Sequence, residues 1–277
     1  MLKLDRLDWV DGIAINTFGL HVGIRVTDSL ILGMIKEILP FGWEFSTNLE
    51  VDYLYSVIVG SDKSHAQIQR KHAVYSDILL LEANRDVVPV VDAIKRDIHL
   101  FVGEMSQGRV FIHSGVVGWG EEAILLPGLT FTGKSTLVAE LVRAGAIYYS
   151  DEYAVLDGNG LVYPFARPLS IRDDGCFSGR SVRIEEIGGV SGTRPLPVGI
   201  IIGTFYEAGS PCSLTRLSPG EAVLSLLSNS LSARRQPETV LPVLKRVAER
   251  AACFSGPRGD ASEAAEQILT RFGRADP

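Results

Sequence analysis

Apolar residues in the first hundred positions follow both helical and strand-like spacing. Residues 26–40 place apolar side chains at intervals near 3.6, which predicts a helix with Thr27 or Asp28 as its N-cap and Pro40 as its end. Residues 51–60 are rich in aromatic and β-branched side chains and predict a strand. The chain therefore begins as a mixture of helix and strand.

The same mixture continues up to residue 105. Residues 72–83 predict one or two further strands. Residues 85–105 predict a helix whose apolar face includes Val91, Ile94 and Ile98, with Pro89 in the first turn.

The pattern changes at Arg109. Residues 109–128 form two apolar runs on either side of "GWGEE", which predicts a pair of strands. An amphipathic helix then runs from Lys134 to about Ala144, with Gly145 at its C′ position.

Short strands and helices alternate in the remainder of the chain. Strands are predicted in "AIYYS", "YAVLD", "LVYPF" and "LPVGIIIGTFY". Two or three helices close the chain: one begins near Ser218, another lies within 237–252 and a last one within 260–272. Residues 254–262, which include Arg258, predict a flexible loop that approaches the site described below. These elements predict an α/β protein with an N-terminal α+β region at 1–105 and a second domain at 106–277.

Composition narrows the function classes. The chain has 277 residues, of which 46% are hydrophobic and 22% charged, as in ordinary globular proteins, and its net charge is -6. This sign and the lack of a basic tract argue against a nucleic-acid partner. No apolar run reaches the ~18 residues of a membrane span. Three separated cysteines and no signal-peptide pattern lead us to expect a reduced, cytoplasmic protein.

A phosphate-binding motif explains why the apolar run before residue 128 is interrupted and then resumes as a helix. "GLTFTGKST" fits G-x-x-x-x-G-K-[ST] at Gly128, Gly133, Lys134 and Ser135. Glycine allows the backbone N–H groups to wrap a phosphate, and the lysine reaches the β- and γ-phosphates. The serine hydroxyl is a ligand for Mg²⁺. A strand before the loop and a helix after it are the context that this motif requires.

Acidic residues follow at a suitable distance. Asp151 and Glu152 come at the end of an apolar strand, where a carboxylate would hold Mg²⁺ and a second would accept a proton. A pair of surface acids in a turn is the alternative. His113 precedes the loop; taken alone, such a histidine is more often structural. Arg167 and Arg172 are equally consistent with phosphate contacts and with solvent-facing positions.

Residues 109–172 resemble the catalytic core of the HPr serine kinase/phosphorylases and their shorter relatives. In that family a histidine precedes the first loop glycine by about fifteen residues, as His113 precedes Gly128, and an acidic pair follows it by just over twenty. The resemblance implies a P-loop core of the HPr kinase/phosphoenolpyruvate-carboxykinase-like type, with a mixed sheet and flanking helices. The second member of the acidic pair is Asp in the full-length enzymes and Glu152 here.

The resemblance also implies roles. Residues 128–136 would bind the phosphates of ATP; the full set of expected contacts is Gly128, Thr130, Thr132, Gly133, Lys134, Ser135 and Thr136. Ser135 and Asp151 would hold Mg²⁺, and the acidic pair with His113 would activate a serine hydroxyl. Residues 1–105 would help to select the acceptor, a peptide, protein or small molecule. Ring-forming members of the family imply a homo-oligomer.

Two other functions remain open. "DGNG" at 157–160 fits the D-x-x-G of NTP-hydrolysing switches, but Asn-Gly between two strand-like runs is also a hairpin signal. The third possibility is a non-catalytic nucleotide-binding module, in which Glu152 no longer acts as a base. The donor, ATP or pyrophosphate, is open as well.

Overall fold

A computed structural model describes residues 3–48, 50–60, 71–129, 132–171 and 180–272. The chain divides into two units, Met1–Gly108 and Arg109–Pro277. Both combine helices with β-sheet, so the protein is of the mixed α/β class that the sequence predicts. No helix among the described residues is long and apolar enough to cross a membrane.

In its described residues, the first unit contains a six-stranded sheet, two α-helices and a short 3₁₀-helix (Lys3–Arg6). The sheet has the order β3-β1-β2-β4-β5-β6; β2 and β4 pair parallel and the other described pairs are antiparallel. Its elements are β1 (Asp11–Thr17), β2 (Leu20–Val26), α1 (Ile31–Glu37), β3 (Glu44–Phe45), β4 (Tyr53–Ile58), β5 (His72–Ser76), β6 (Leu79–Asn84) and α2 (Val87–Met105).

Helix α2 packs on β5 and β6 through the apolar stripe that the sequence predicts. Val91, Ile94 and Ile98 are buried, and the Asp86 carboxylate caps the helix by accepting from the Val88 N–H at 3.0 Å. Periodicity and cap together fix where this helix begins and which face it buries.

The predicted helix over 26–40 is wrong at both ends, since only Ile31–Glu37 is helical. Val26 is the last residue of β2, where it pairs with Asp11 and with Val57. Asp28 does not cap the helix: its carboxylate accepts from the N–H of Leu30, which is itself the N-cap residue, and no side chain caps the helix. Sheet pairing has overridden a local helical pattern here.

The second unit is built around a mixed eight-stranded sheet. The order is β11-β10-β7-β8-β14-β16-β15, with β9 also paired to β7. Strands β8, β14 and β16 run parallel, whereas β7 pairs antiparallel with β8, β9 and β10. The eight strands of this sheet are β7 (Val110–Trp119), β8 (Glu122–Pro127), β9 (Ile147–Ser150), β10 (Tyr153–Leu156), β11 (Leu161–Tyr163), β14 (Leu196–Tyr206), β15 (Thr215–Arg216) and β16 (Ala252–Arg258). Strands β12 (Leu169–Ile171) and β13 (Arg180–Val182) pair antiparallel in a separate two-stranded sheet.

Helices cover both faces of this sheet; they are α3 (Lys134–Arg143), α4 (Pro219–Ser228), α5 (Pro237–Arg250) and α6 (Ala261–Phe272). In β8, Ile124 and Leu126 belong to the core cluster that contains residues of α3 and α6. Leu125 belongs to the cluster that contains residues of α4 and α5. Because both faces of β8 are covered, the strand is a continuous apolar run up to the loop that follows it.

Helix α3 ends as the sequence predicts. Gly145 has φ +102° and lies at C′, where its N–H donates to Val142 O at 2.9 Å, while the Ala146 N–H donates to Leu141 O at 3.0 Å. These two bonds form a Schellman motif, which satisfies carbonyls that the helix end would leave unpaired.

Residues 254–262 are not the flexible loop that the sequence predicts. Residues up to Arg258 belong to β16, paired parallel with β14, and α6 begins at Ala261. The glycines that indicated flexibility serve close packing instead. A Cβ at Gly256 would clash with Ser213 O, and one at Gly259 would clash with Ser210 O.

Candidate functional site

The motif loop begins beside His113. Strands β7 and β8 pair up to Ser114 and Pro127, and the Gly128 N–H then donates to His113 O at 3.2 Å. The loop connects β8 to α3, so the strand–loop–helix context that the motif requires is present.

Two side chains of the loop bond to its own backbone. Thr132 Oγ1 donates to Leu129 O at 2.9 Å, and Lys134 Nζ donates to the same oxygen at 2.6 Å. Thr130 and Phe131, which lie between Leu129 and Thr132 in sequence, are outside the described residues. The described part of the loop is therefore folded back on Leu129, whose side chain is exposed.

Gly133 is the N-cap of α3 and has φ +78°. A side chain is strained in this left-handed region, so glycine is required for the turn. Ser135 and Thr136 follow in the first turn of α3, where Ser135 is half-buried and Thr136 is exposed. Helix N-termini offer unpaired N–H groups and the positive end of the helix dipole, which together favour an anion.

Arg258 lies against this turn. Its guanidinium Nη2 donates to Gly133 O at 2.8 Å, and Nη1 donates to Gly259 O at 3.2 Å. The residue is only 3% exposed. The sequence predicts Arg258 in a flexible loop near the site; the residue is instead the last of β16 and is fixed in position by its strand.

The acidic pair lies at the bend between β9 and β10. Asp151 is buried, and the Tyr148 hydroxyl lies 3.0 Å from its Oδ1 and 2.8 Å from Arg167 O. Ser150 Oγ accepts from the N–H groups of Glu152 and Tyr153, which holds the bend. Backbone and side-chain hydrogen bonds therefore fix the bend, and Asp151, unlike an acid in a surface turn, is buried.

Glu152 is more exposed than Asp151 and forms an ion pair with Arg167. The Arg167 Nη1 to Glu152 Oε2 distance is 3.1 Å, with the two side chains 21% and 43% exposed respectively. Arg167 thus faces the acidic pair, whereas Arg172 lies outside the described residues. A partly exposed pair of this kind adds about 1 kcal/mol or less to stability, so its main effect is to orient the carboxylate.

Electrostatic effects link the lysine, the histidine and Asp151. Burial lowers the pKa of Lys134 to about 8, and the charge of Asp151 acts in the opposite direction. Burial also lowers the pKa of His113; the charge of Lys134 lowers it further, and a hydrogen bond with the Glu152 backbone raises it. His113 pairs with Tyr153 across β7 and β10, with ring centroids 4.9 Å apart. Lys134 therefore lies within electrostatic range of both Asp151 and His113.

Sequence reasoning missed Tyr148 and underestimated Arg258. Burial, followed by the charge of Asp151, raises the pKa of Tyr148, so its hydroxyl remains protonated and available as a donor. The available signal was a tyrosine in an apolar strand three residues before an acid. No local pattern indicates Arg258, because its contact with Gly133 joins residues 125 positions apart.

The D-x-x-G match is a hairpin turn. Asp157 Oδ1 accepts from the N–H groups of Asn159 and Leu161 at 2.9 and 3.0 Å, between the antiparallel strands β10 and β11. This confirms the hairpin that Asn-Gly predicts. Among the residues with described positions, no three His, Cys, Asp or Glu side chains group to hold a metal ion.

A scan against protein-family models gives no match to the chain, and a search of curated proteins gives none either.

Proposed function

We propose that the second unit is a Mg-ATP-dependent kinase of the HPr-kinase-like type, which transfers a phosphoryl group to a serine hydroxyl. The acceptor is a peptide, a protein or a small molecule. The observation that carries the proposal is the position of Lys134: it follows a glycine-rich strand-to-helix loop and lies within electrostatic range of Asp151 and His113.

Phosphate binding is assigned to residues 128–136. The N–H groups at the start of α3 and the helix dipole favour the negative charge of a triphosphate. The Lys134 ammonium, which donates to Leu129 O at 2.6 Å, would turn from this carbonyl to the phosphate oxygens. A lysine with a lowered pKa gains charge stabilisation from such an anion.

Magnesium fits the oxygen atoms that the site offers. Mg²⁺ is usually held by one or two protein ligands together with water and substrate phosphates, so a larger protein cluster is not required. Ser135 at the start of α3 and the carboxylate of Asp151 are the residues that would hold it. When bound, the ion would neutralise charge on the β- and γ-phosphates.

Proton handling is assigned to Glu152 and His113. Tyr148 holds Asp151 in a buried position that suits a fixed ligand, whereas Glu152 is nearer to solvent and is oriented by Arg167. Burial lowers the pKa of His113, which favours the neutral imidazole, and a neutral imidazole has one nitrogen that can accept a proton. Either group suits removal of the acceptor hydroxyl proton.

Transfer of label from γ-labelled ATP tests the proposal. The acceptor probe is a peptide library with serine fixed at the central position, supplied with Mg²⁺, and release of label to water is counted separately. We expect the parent protein and Lys245→Ala to label peptides and Lys134→Ala to lose this activity. Lys245 is a matched control because it is exposed and paired with Glu249 on α5. Equal labelling by Lys134→Ala would refute the site assignment.

A second candidate function is a non-catalytic nucleotide-binding module. The ion pair between Arg167 and Glu152 favours it, since a carboxylate bonded to a guanidinium is less ready to accept a proton. In that case ATP should raise the melting temperature of the parent but not of Lys134→Ala, with no label transferred. Label found only as free phosphate, and dependent on Lys134, would indicate an NTP hydrolase.

A further inference from the structure

Arg258 is a buried cation that makes no ion-pair contact with a carboxylate among the described residues, although the charge of Asp260 acts on it and the Tyr206 ring centroid lies 6.0 Å from its guanidinium carbon. It forms no ion pair with any carboxylate in that part of the chain, and its hydrogen bonds go only to the carbonyls of Gly133 and Gly259. Its Nε atom is buried and has no hydrogen-bond partner. Burial lowers the pKa of Arg258 in spite of the opposing charge of Asp260. Burying a charge that no carboxylate contacts is costly, and an apolar side chain at the end of β16 would avoid that cost.

The location of Arg258 adds a second unfavourable contribution. Its guanidinium bonds to the N-cap carbonyl of α3, and a helix N-terminus carries partial positive charge that repels cations. Lys134, the first residue of the same helix, carries a second positive charge, and its Nζ donates to Leu129 O. The loop before α3 is thus contacted by two cations, at Leu129 O and at Gly133 O, beside the positive end of the helix dipole, an arrangement that an anion would stabilise.

The contact with Gly133 also fixes backbone geometry. Gly133 O accepts from Arg258 Nη2 at 2.8 Å and from the Leu137 N–H at 3.1 Å. Two hydrogen bonds therefore hold the carbonyl of Gly133, a residue whose φ is +78°. Fixing this turn fixes the direction of the N–H groups that follow it.

We propose that Arg258 is a positioning residue for phosphate binding, which holds the Gly133 turn and adds positive charge behind it. The ligand class is a linear polyphosphate, either the triphosphate of a nucleotide or inorganic tripolyphosphate. This inference rests on the proposed phosphate-binding role of residues 128–136. Arg258 touches the loop and not the ligand, so it acts through the loop's geometry and through its charge.

Titration calorimetry with Mg-ATP and, separately, with tripolyphosphate tests the inference. We expect Arg258→Met to weaken the binding of both probes by about tenfold or more, because the variant removes a positive charge near the bound anion and releases the Gly133 turn. Arg258→Lys keeps the charge but cannot reach both carbonyls, so its affinity should lie between those of Arg258→Met and the parent. Arg271→Met is the matched control: Arg271 stacks on Phe254 of β16 and on Phe272 without contacting the loop, so affinity should stay within about twofold of the parent.

The free energy of unfolding without ligand is measured on the same variants by urea denaturation. A purely structural arginine would change this quantity and leave the affinity of the folded protein unchanged. Parental affinity in Arg258→Met therefore overturns the inference. If Arg258→Met does not fold, Arg258→Lys decides: weaker binding supports the inference and parental binding overturns it.

The outcomes separate this inference from the proposed function. If the parent binds and Lys134→Ala does not, while Arg258→Met binds like the parent, only the role of Arg258 fails. If the folded parent binds neither probe, both fail. Binding of tripolyphosphate alone would identify an inorganic donor, and binding of both with tighter Mg-ATP would identify a nucleotide.

Discussion

Replacing Gly133 with alanine tests whether the turn before α3 is held by Arg258. At φ +78° an L side chain costs about 1–2 kcal/mol. The added Cβ would also clash with Arg258 Nη2, which must then give up its 2.8 Å bond to Gly133 O. Losing a bond of a buried charged group costs about 1–3 kcal/mol more. We therefore expect Gly133→Ala to lower the free energy of unfolding by about 2–5 kcal/mol.

Gly188 provides the matched control. It lies in the same unit with φ +77°, and a Cβ there would meet nothing within 4 Å. Gly188→Ala should therefore cost only the backbone contribution of about 1–2 kcal/mol. Urea denaturation followed by tryptophan fluorescence gives both values, and their difference isolates the contact with Arg258.

A double-mutant cycle makes the result decisive. In an Arg258→Met background the clash and the bond are both absent, so Gly133→Ala should cost no more than Gly188→Ala does in the parent. The reasoning is refuted if Gly133→Ala and Gly188→Ala are equally destabilising in the parent chain. It is also refuted if the cost of Gly133→Ala is the same with and without Arg258.

Three further predictions use other contacts of the second unit. Because the pKa of Lys134 is about 8 without ligand, binding of an anion that requires the charged lysine must protonate Lys134 above that pH. Affinity for tripolyphosphate, measured without magnesium, should therefore fall above about pH 8 in the parent but not in Lys134→Arg, and a flat parent profile would contradict this. Tyr148→Phe should lower the free energy of unfolding, measured by urea denaturation, by about 1–3 kcal/mol, because buried Asp151 loses a hydrogen-bond donor. The cost should exceed that of Tyr149→Phe, since the Tyr149 hydroxyl bonds the backbone oxygen of the exposed Arg194. Equal costs would count against the contact between Tyr148 and Asp151. Ser218→Ala should lower the free energy of unfolding by about 1 kcal/mol, because it removes the capping box of α4. Ser228→Ala, at the exposed end of the same helix, should change it little. A larger loss in Ser228→Ala than in Ser218→Ala would contradict the role of the cap.

Elements with strong periodicity and clear end signals are the ones that the sequence predicts best. Helix α3 begins at Lys134 and has Gly145 at C′, as expected, and β7 and β8 pair as predicted. The N-terminal hairpin of β1 and β2 was not predicted, because its turn is Phe18-Gly19. Phe18 has φ +48°, a conformation for which Asn or Gly is the usual signal.

In the site, too, the sequence predicts the features that are local in the chain and misses the contacts between distant residues. The motif and the acidic pair are local patterns, and the structure brings Lys134 within electrostatic range of Asp151 and His113. The supporting contacts depend on sheet order. Arg258 reaches Gly133 only because β16 and β8 both pair with β14, and no spacing within the sequence encodes that neighbourhood.

A crystal structure with Mg²⁺ and a non-hydrolysable ATP analogue tests the phosphate-binding role of residues 128–136 most directly. We expect the triphosphate to contact the backbone N–H groups at the start of α3 and the Lys134 ammonium, with the metal ion between Ser135 and Asp151. An analogue bound elsewhere on the protein, with residues 128–136 empty at saturating concentration, would contradict the proposed function.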